Sequence, residues 1–207
     1  MEEWLDWFRE RRLVLVLGAI LGIAGFQYWN DRPVAQRPGV LAPEDPVQIE
    51  PATQESWSYR GHTLTSLAQF QIKARVLGRE RYRFDRAAEL SPVDLALGWG
   101  PMSDTRVLAA LTIVQQDRFY YWSAATLPLP ASDISAHSAN MHMIPANDAV
   151  ANRLLGAKVG QIVELRGQLI RAEGKDGFRW ISSLTRLDTG AGACEVIWVE
   201  EARVVDR

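Results

Sequence analysis

The sequence predicts an α+β protein with an N-terminal transmembrane helix, a proline-rich linker and a strand-rich domain that carries two short helices. Three observations support this fold class. Residues 13–29 carry no charge, residues 30–56 hold five of the ten prolines, and later segments alternate apolar with polar residues. A chain of 207 residues suffices for one folded domain with such accessory segments.

The apolar run over 13–29 reads LVLVLGAILGIAGFQYW and predicts a single membrane-spanning helix. Seventeen residues give about 25 Å of helix, at the short end of what crosses a bilayer core. Aromatic residues stand on both sides of the run, as at the two membrane–water interfaces. A cleaved signal peptide is the alternative, but no small-residue cleavage site follows the run. We therefore expect an uncleaved anchor.

The distribution of arginine predicts the orientation of this anchor. Arg9, Arg11 and Arg12 precede the run, and Arg32 and Arg37 follow it. Because cytoplasmic flanks carry the excess of positive charge, residues 1–12 are expected inside the cell. The later part of the chain is then expected on the outer side of the bacterial inner (cytoplasmic) membrane, in the periplasm.

Three glycines within the same run indicate a helix-packing face. Gly18, Gly22 and Gly25 share one side of a helix, and the spacing of the first two lets a second helix approach closely. Glycine is also common in membrane helices, so chance composition is the alternative. The expected partners are the lipid bilayer and other membrane protein subunits.

Residues 30–56 predict a semi-rigid spacer, because proline removes backbone donors and favours extended backbone. Residues 57–207 predict the folded domain. Within it, Ser91-Pro92-Val93-Asp94 has the composition of a helix start and predicts a short helix through Leu97. Asn147 predicts the cap of a second helix over 148–155. Strands are predicted by alternation and β-propensity over 70–76, 112–122, 162–171, 178–184 and 193–205.

Two resemblances add to this interpretation. The stretch VGQIVELRG at 159–167, which leads into a hairpin, resembles the strand entry of a small OB-like barrel. Residues 90–104 and 137–146, together with 188–195, resemble a family of small bacterial single-pass membrane-anchored proteins with no assigned activity. This second resemblance covers most of the domain and implies a membrane-anchored protein, but it implies no reaction.

His137, His142 and Cys194 are the candidates for catalysis. A cysteine near a histidine can act as a nucleophile, and histidine is a common metal ligand. The two histidines are five residues apart, so they converge only in a loop, with His62, Asp133 or Cys194 as further ligands. The alternatives are loop-ordering hydrogen bonds for the histidines and a buried strand position for the cysteine. No metal site is expected.

Arginine and tryptophan supply the candidates for binding. Arg79, Arg81 and Arg83 alternate with other residues in a basic cluster that suits phosphate, lipid headgroups or an acidic partner. Pairing with acidic neighbours is the alternative. Trp99 and Trp122 suit stacking on a sugar or anchoring of a partner, and their alternative place is the core.

The composition narrows the function classes. With 23 basic and 25 acidic residues the chain has a formal net charge of −2, which excludes a strongly basic nucleic-acid-binding protein. A single cysteine excludes an internal disulfide framework. No complete nucleotide-binding glycine loop occurs, so neither nucleotide nor cofactor is expected.

These observations predict a non-enzymatic accessory or interaction module of a bacterial membrane protein complex. The alternative is an extracytoplasmic hydrolase or transferase that uses His137, His142 and Cys194.

Overall fold

The structure is a computed structural model that describes residues 2–51, 53–185 and 194–205. The chain divides into two compact units, Met1–Pro33 and Val34–Arg207. The first unit consists of helix α1, Glu2–Asn30. Residues 186–193, which carry part of the resemblance at 188–195 and the predicted start of the last strand, lie outside the described residues.

Helix α1 corrects the prediction of a transmembrane helix over 13–29. In the part of the chain that the structure describes, no helix is long and apolar enough to cross a membrane. The uncharged run of 17 residues is only at the lower limit of the range of about 17–25 that crosses a bilayer core, and charged residues precede it within α1. The prediction of a single-pass membrane anchor is therefore wrong. The packing role of Gly18, Gly22 and Gly25 stays a prediction.

The second unit begins at Val34, within the predicted linker. The Val34 N–H donates to the carbonyl of Val159 at 2.8 Å, and Ala42 is fully buried. The Ser103 hydroxyl accepts the N–H of Ala42 at 3.0 Å. The proline-rich stretch thus runs along the domain from residue 34 and supplies its first strand.

Ten strands build the described part of this unit. They are β1 (Val47–Ile49), β2 (Ser56–Tyr59), β3 (His62–Arg81), β4 (Val93–Gly98), β5 (Thr112–Gln116), β6 (Phe119–Ser123), β7 (Ser138–Pro145), β8 (Ile162–Gly174), β9 (Arg179–Ile181) and β10 (Glu195–Val205). Four short helical segments accompany them among the described residues: a 3-10 turn at Gly100–Ser103, α2 (Thr105–Leu108), α3 (Ala131–Ala136) and α4 (Asp148–Gly156).

Five of the strands close into a ring, in the order β3–β4–β7–β10–β8 and back to β3. The β7–β10 pair is parallel and the other four pairs are antiparallel. Strands β1 and β2 extend β3, β9 extends β8, and β5 and β6 form a separate hairpin. This closed ring, with α4 between β7 and β8, is compatible with the predicted OB-like barrel.

Apolar side chains from all five ring strands form the largest core cluster, which fills the ring. Alternation places Phe70, Leu95 and Met141 in this cluster while their chain neighbours face outward. Val150 and Leu154 of α4 close the cluster at one end.

The two predicted short helices have opposite outcomes. The helix capped by Asn147 is confirmed, since the Asn147 side chain accepts the N–H of Val150 at 3.0 Å. The predicted helix from Ser91 to Leu97 is wrong, because Val93–Gly98 forms the buried strand β4. There the Ser91 hydroxyl contacts Asp94 instead of capping a helix.

Candidate functional site

A cavity of about 950 Å³, hereafter the central pocket, lies against the outer face of the ring. Its lining comes from residues 81–87 after β3, residues 117–119 in the β5–β6 hairpin and residues 178–181 around β9, together with His142 of β7 and Cys194 before β10. Segments far apart in the chain therefore meet here because the ring brings β4, β7 and β10 together.

A buried polar pair lies beneath this pocket. Asp94 and His142 are cross-strand partners on β4 and β7, and they are 0% and 3% exposed. The His142 Nδ1 and Asp94 Oδ2 atoms are 2.9 Å apart. The pair is a close contact without hydrogen-bond alignment, and neither atom has a hydrogen-bond partner among the described residues. Ser91, Arg118 and Trp180 supply the further contacts of this pair.

Arg118 is the centre of the surrounding network. It occupies the turn of the β5–β6 hairpin, where Asp117 and Arg118 have φ angles of 52° and 69°, as in a type I′ turn. Its guanidinium donates to Asp94 Oδ1 at 2.9 Å and binds both carboxylate oxygens of Asp85, at 2.7 and 2.9 Å. The Arg118 carbonyl accepts from Asn140 at 2.8 Å. One turn residue thus joins three segments of the fold.

Tyr82 packs under the same guanidinium, 3.7 Å from the ring centroid, and its hydroxyl accepts the Arg118 N–H at 3.1 Å. Burial, followed by the nearby negative charge of Asp94, raises the pKa of Tyr82 to about 12. The phenol therefore stays protonated throughout the physiological pH range.

Aromatic side chains form the apolar wall of the central pocket. The Trp180 ring lies 4.4 Å from the His142 ring at a tilt of 43°. Phe178 packs edge-on to Trp180, with 6.2 Å between centroids. Phe84, at the mouth, is 98% exposed. A planar or apolar ligand body finds stacking partners on this wall.

The charged groups of the lining are mostly positive. Five arginines line the central pocket, against two aspartates, Asp85 and Asp117. Arg86 pairs with Asp176, and Arg179 pairs with Glu173 at 3.7 Å. Arg83 is exposed and makes no ion pair or hydrogen bond with the described residues. Its charge is available to a ligand.

The structure separates the predicted catalytic candidates. His142 and Cys194 line the central pocket together. His137 lies elsewhere, after α3, with Nδ1 2.8 Å from the Asp133 carbonyl oxygen and in a smaller cavity beside Trp99. Among residues 2–51, 53–185 and 194–205, no three His, Cys, Asp or Glu side chains are grouped to hold a metal ion.

The structure also places the predicted binding residues in different parts of the unit. Arg81 and Arg83 line the central pocket. Arg79 donates to the carbonyls of Leu155 and Ala157 at the end of α4, where free carbonyls need donors. The remaining candidates, Trp99 and Trp122, lie in apolar clusters, where Trp99 is 1% exposed and Trp122 is partly buried.

Sequence reasoning missed Asp94, Arg118 and Trp180 as site residues. The helix-start composition predicts Asp94 in the first turn of a helix, although a lone acid inside the apolar strand VDLALG is itself an unusual signal. Arg118 lies at a two-residue turn between β5 and the aromatic strand β6, a position that gives no local sign of long-range pairing.

Comparison of the chain with protein-family models, with curated proteins and with solved structures finds no match. The resemblance to small membrane-anchored bacterial proteins stays a prediction, and a function has to be inferred from the site itself.

Proposed function

We propose that the unit Val34–Arg207 is a binding module whose central pocket takes an anionic ligand with a planar or apolar body. The observation that carries the proposal is the lining itself, with aromatic walls and five arginines against two aspartates. Ligand pockets are concave and mostly apolar, with a few polar groups that fix orientation. This role specifies the interaction module expected from the sequence.

The position and size of the pocket support the proposal. A volume of about 950 Å³ lies at the upper end of the range for small-molecule sites. In OB-fold barrels the ligand face is formed by the second and third strands and by neighbouring loops. Here the corresponding strands are β4 and β7, and the segment after β3 and the segment around β9 flank them.

The body and the anionic group of the proposed ligand each have a contact partner in the pocket. Trp180 and Phe178 offer an aromatic surface to the body, and Arg83 offers an uncommitted charge to the anion. An exposed charge contact contributes only about 0.2–1 kcal/mol, so most of the affinity is expected from the aromatic wall.

A pair of fluorescent probes tests both features. The probes 8-anilinonaphthalene-1-sulfonate and N-phenyl-1-naphthylamine share one aromatic body and differ by the sulfonate. We expect the full chain to bind the sulfonate probe more tightly. Trp180→Ala should weaken both probes about tenfold, since stacking on one aromatic contributes roughly 1–3 kcal/mol. Arg83→Gln should weaken only the sulfonate probe, by about two- to fivefold.

Matched controls come from other surfaces of the unit. Tyr121 is 56% exposed on the β5–β6 hairpin, and Arg203 is exposed on β10. Tyr121→Ala and Arg203→Gln should leave both affinities unchanged. Equal binding of the two probes, or binding that ignores Trp180→Ala, would contradict the proposal.

A second function, a hydrolase or transferase, is favoured by one observation: His142 and Cys194 line the same pocket. The accessory role beside membrane protein subunits, and the extracytoplasmic location, stay predictions from the sequence.

A further inference from the structure

We infer that Cys194 and His142 form a nucleophile and general base for acyl transfer from an ester or thioester, with Asp94 as a positioning residue. The inference rests on the proposed function in one respect, since the acyl body would occupy the central pocket. Its other support is the placement of three side chains that the binding role alone does not use.

Strand register places the thiol on the face that carries His142. In the parallel β7–β10 pair, Glu195 lies opposite Met141 and Val196 lies opposite His142. Side chains alternate along a strand, so the residue before Glu195 is expected on the face of Val196 and His142. Cys194 precedes β10 directly, and its side chain lines the central pocket together with His142, as this register predicts.

The backbone carbonyl of Arg118 contacts both Cys194 and the strand that carries His142. The Cys194 Sγ lies 4.0 Å from the Arg118 carbonyl oxygen, which also accepts from Asn140 at 2.8 Å. Asn140 stands two residues before His142 on the same face of β7. Cys194 is partly exposed, so a ligand in the central pocket can reach the sulfur.

His142 is oriented as a general base would be. Its Nδ1 faces Asp94 at 2.9 Å, which leaves Nε2 as the ring nitrogen for proton transfer. Asp94 is itself held by Arg118 at 2.9 Å and contacted by the Ser91 hydroxyl at 3.3 Å. The imperfect alignment between His142 and Asp94 fits a catalytic pair without ligand, since such bonds often tighten only in the substrate complex.

The reaction then balances without any further reagent. His142 Nε2 takes the thiol proton as the sulfur attacks the acyl carbonyl, and the same proton passes to the departing alcohol or thiol. The product of this half-reaction is an S-acyl Cys194. A water molecule, deprotonated by His142, then attacks the S-acyl carbonyl and breaks the carbon–sulfur bond. The proton passes from His142 to the departing sulfur, which releases the carboxylic acid and restores the thiol. Trp180 and Phe178 accept an apolar acyl group, and Arg83 accepts the carboxylate product.

Alkylation of the full chain by iodoacetamide tests the pair, because Cys194 is the only cysteine. At about pH 7 an ordinary thiol is only a few per cent thiolate, so an activated one reacts at least tenfold faster. We expect His142→Gln to lower the rate about tenfold and Asp94→Asn to lower it severalfold. His137→Gln is the matched control, since that ring lies in a different cavity, and it should leave the rate unchanged.

Acyl transfer itself is read with 4-nitrophenyl acetate. The wild type should release a burst of 4-nitrophenol and gain one acetyl group on Cys194, seen by peptide mass spectrometry. Cys194→Ser should lose the acetyl-cysteine, and His142→Gln should slow the burst about as much as it slows alkylation. An alkylation rate equal in wild type and His142→Gln, both folded by circular dichroism, would overturn the inference.

Two further readouts keep the outcomes separate. If His142→Gln fails to fold, the wild type is compared with glutathione at about pH 6 and pH 8, where an ordinary thiol loses most of its reactivity at the lower pH. The charged and titratable groups around the thiol are His142, Asp94, Arg118, Tyr120 and Glu195. A pH dependence of the alkylation rate equal to that of glutathione would overturn the inference.

The two proposals can fail separately. Sulfonate-probe binding with an ordinary thiol would contradict this inference alone, whereas a reactive thiol without probe binding would contradict only the binding role.

Discussion

Strands β4 and β7 are buried on both faces, yet the two faces carry different chemistry. Inside the ring, Leu95 and Met141 belong to the main apolar cluster. On the outer face, Asp94, Asn140 and His142 form a polar row under the β5–β6 hairpin and the central pocket. The same two strands thus separate a packed core from a buried ionic site.

This difference distinguishes side chains that stabilise the fold from side chains to which we assign a function. Burial of an aliphatic side chain stabilises the fold by about 1.5–3 kcal/mol. Burial of an ion costs several kcal/mol, which its partners only offset, and apolar replacements of similar volume are often as stable. The cluster of Asp94, His142 and Arg118 on the outer face is therefore expected to add little net stability, which agrees with the reactive role proposed for it. The four predictions below probe this division.

The largest effect is expected from Arg118→Met. The change leaves the carboxylate of Asp94, which is fully buried, without its cationic partner. Removing one partner of a buried pair costs about 3–5 kcal/mol. Urea denaturation followed by tryptophan fluorescence should show this loss in the free energy of unfolding. Arg203→Met, which alters an exposed 3.5 Å pair with Glu201, should change it by less than about 1 kcal/mol.

Replacement of Asp94, Arg118 and His142 together sharpens this result. In the triple variant Asp94→Leu, Arg118→Met and His142→Leu no charge is left buried in the row. We expect most of the lost stability to return, to within about 1–2 kcal/mol of the wild type, while the fast alkylation of Cys194 disappears. A triple variant less stable than Arg118→Met alone would show that the polar row is there for stability.

On the inner face, Leu95→Ala should cost about 3 kcal/mol, because it opens a cavity in the apolar cluster. Leu127, which is 44% exposed, supplies the matched control, and Leu127→Ala should cost less than about 1 kcal/mol. Probe affinity and alkylation rate should stay at the wild-type level in folded Leu95→Ala. A change in either would mean that the two faces are coupled.

The sequence predicted those elements whose signals are local. Alternation located the strands at 70–76 and 162–171, which lie within β3 and β8. The short polar side chain of Asn147 located the start of α4. Each of these signals comes from neighbouring residues, and the structure preserves it because packing agrees with local preference.

Non-local features escaped prediction. Residues 91–94 have the composition of a helix start. The place of 93–98 between β3 and β7 in the ring nevertheless makes this segment a strand, since tertiary pairing overrides weak propensity. The central pocket joins residues from five separate parts of the chain, and no spacing rule connects Tyr82, Arg118, His142 and Trp180. Only the closure of the ring brings them together.

The smallest effect is a pH dependence that belongs to the outer face alone. The pKa of Tyr82 is raised to about 12, chiefly by burial and then by Asp94. A group whose pKa is higher in the folded state contributes stability that is complete below its unfolded value, about 10, and is lost as the pH rises towards 12. The phenol is only partly buried, so solvent screening reduces the expected loss to about 1 kcal/mol.

Urea denaturation of the wild type and of Tyr82→Phe at about pH 9.5 and pH 11.5 measures this loss in the free energy of unfolding. The wild type should lose about 1 kcal/mol more between the two pH values, because Tyr59 and Tyr120, whose pKa values burial also raises, titrate equally in both proteins. Parallel losses in the two proteins would mean that Tyr82 is not held in its protonated form beside Asp94, and the outer face would then lack the electrostatic contrast with the core.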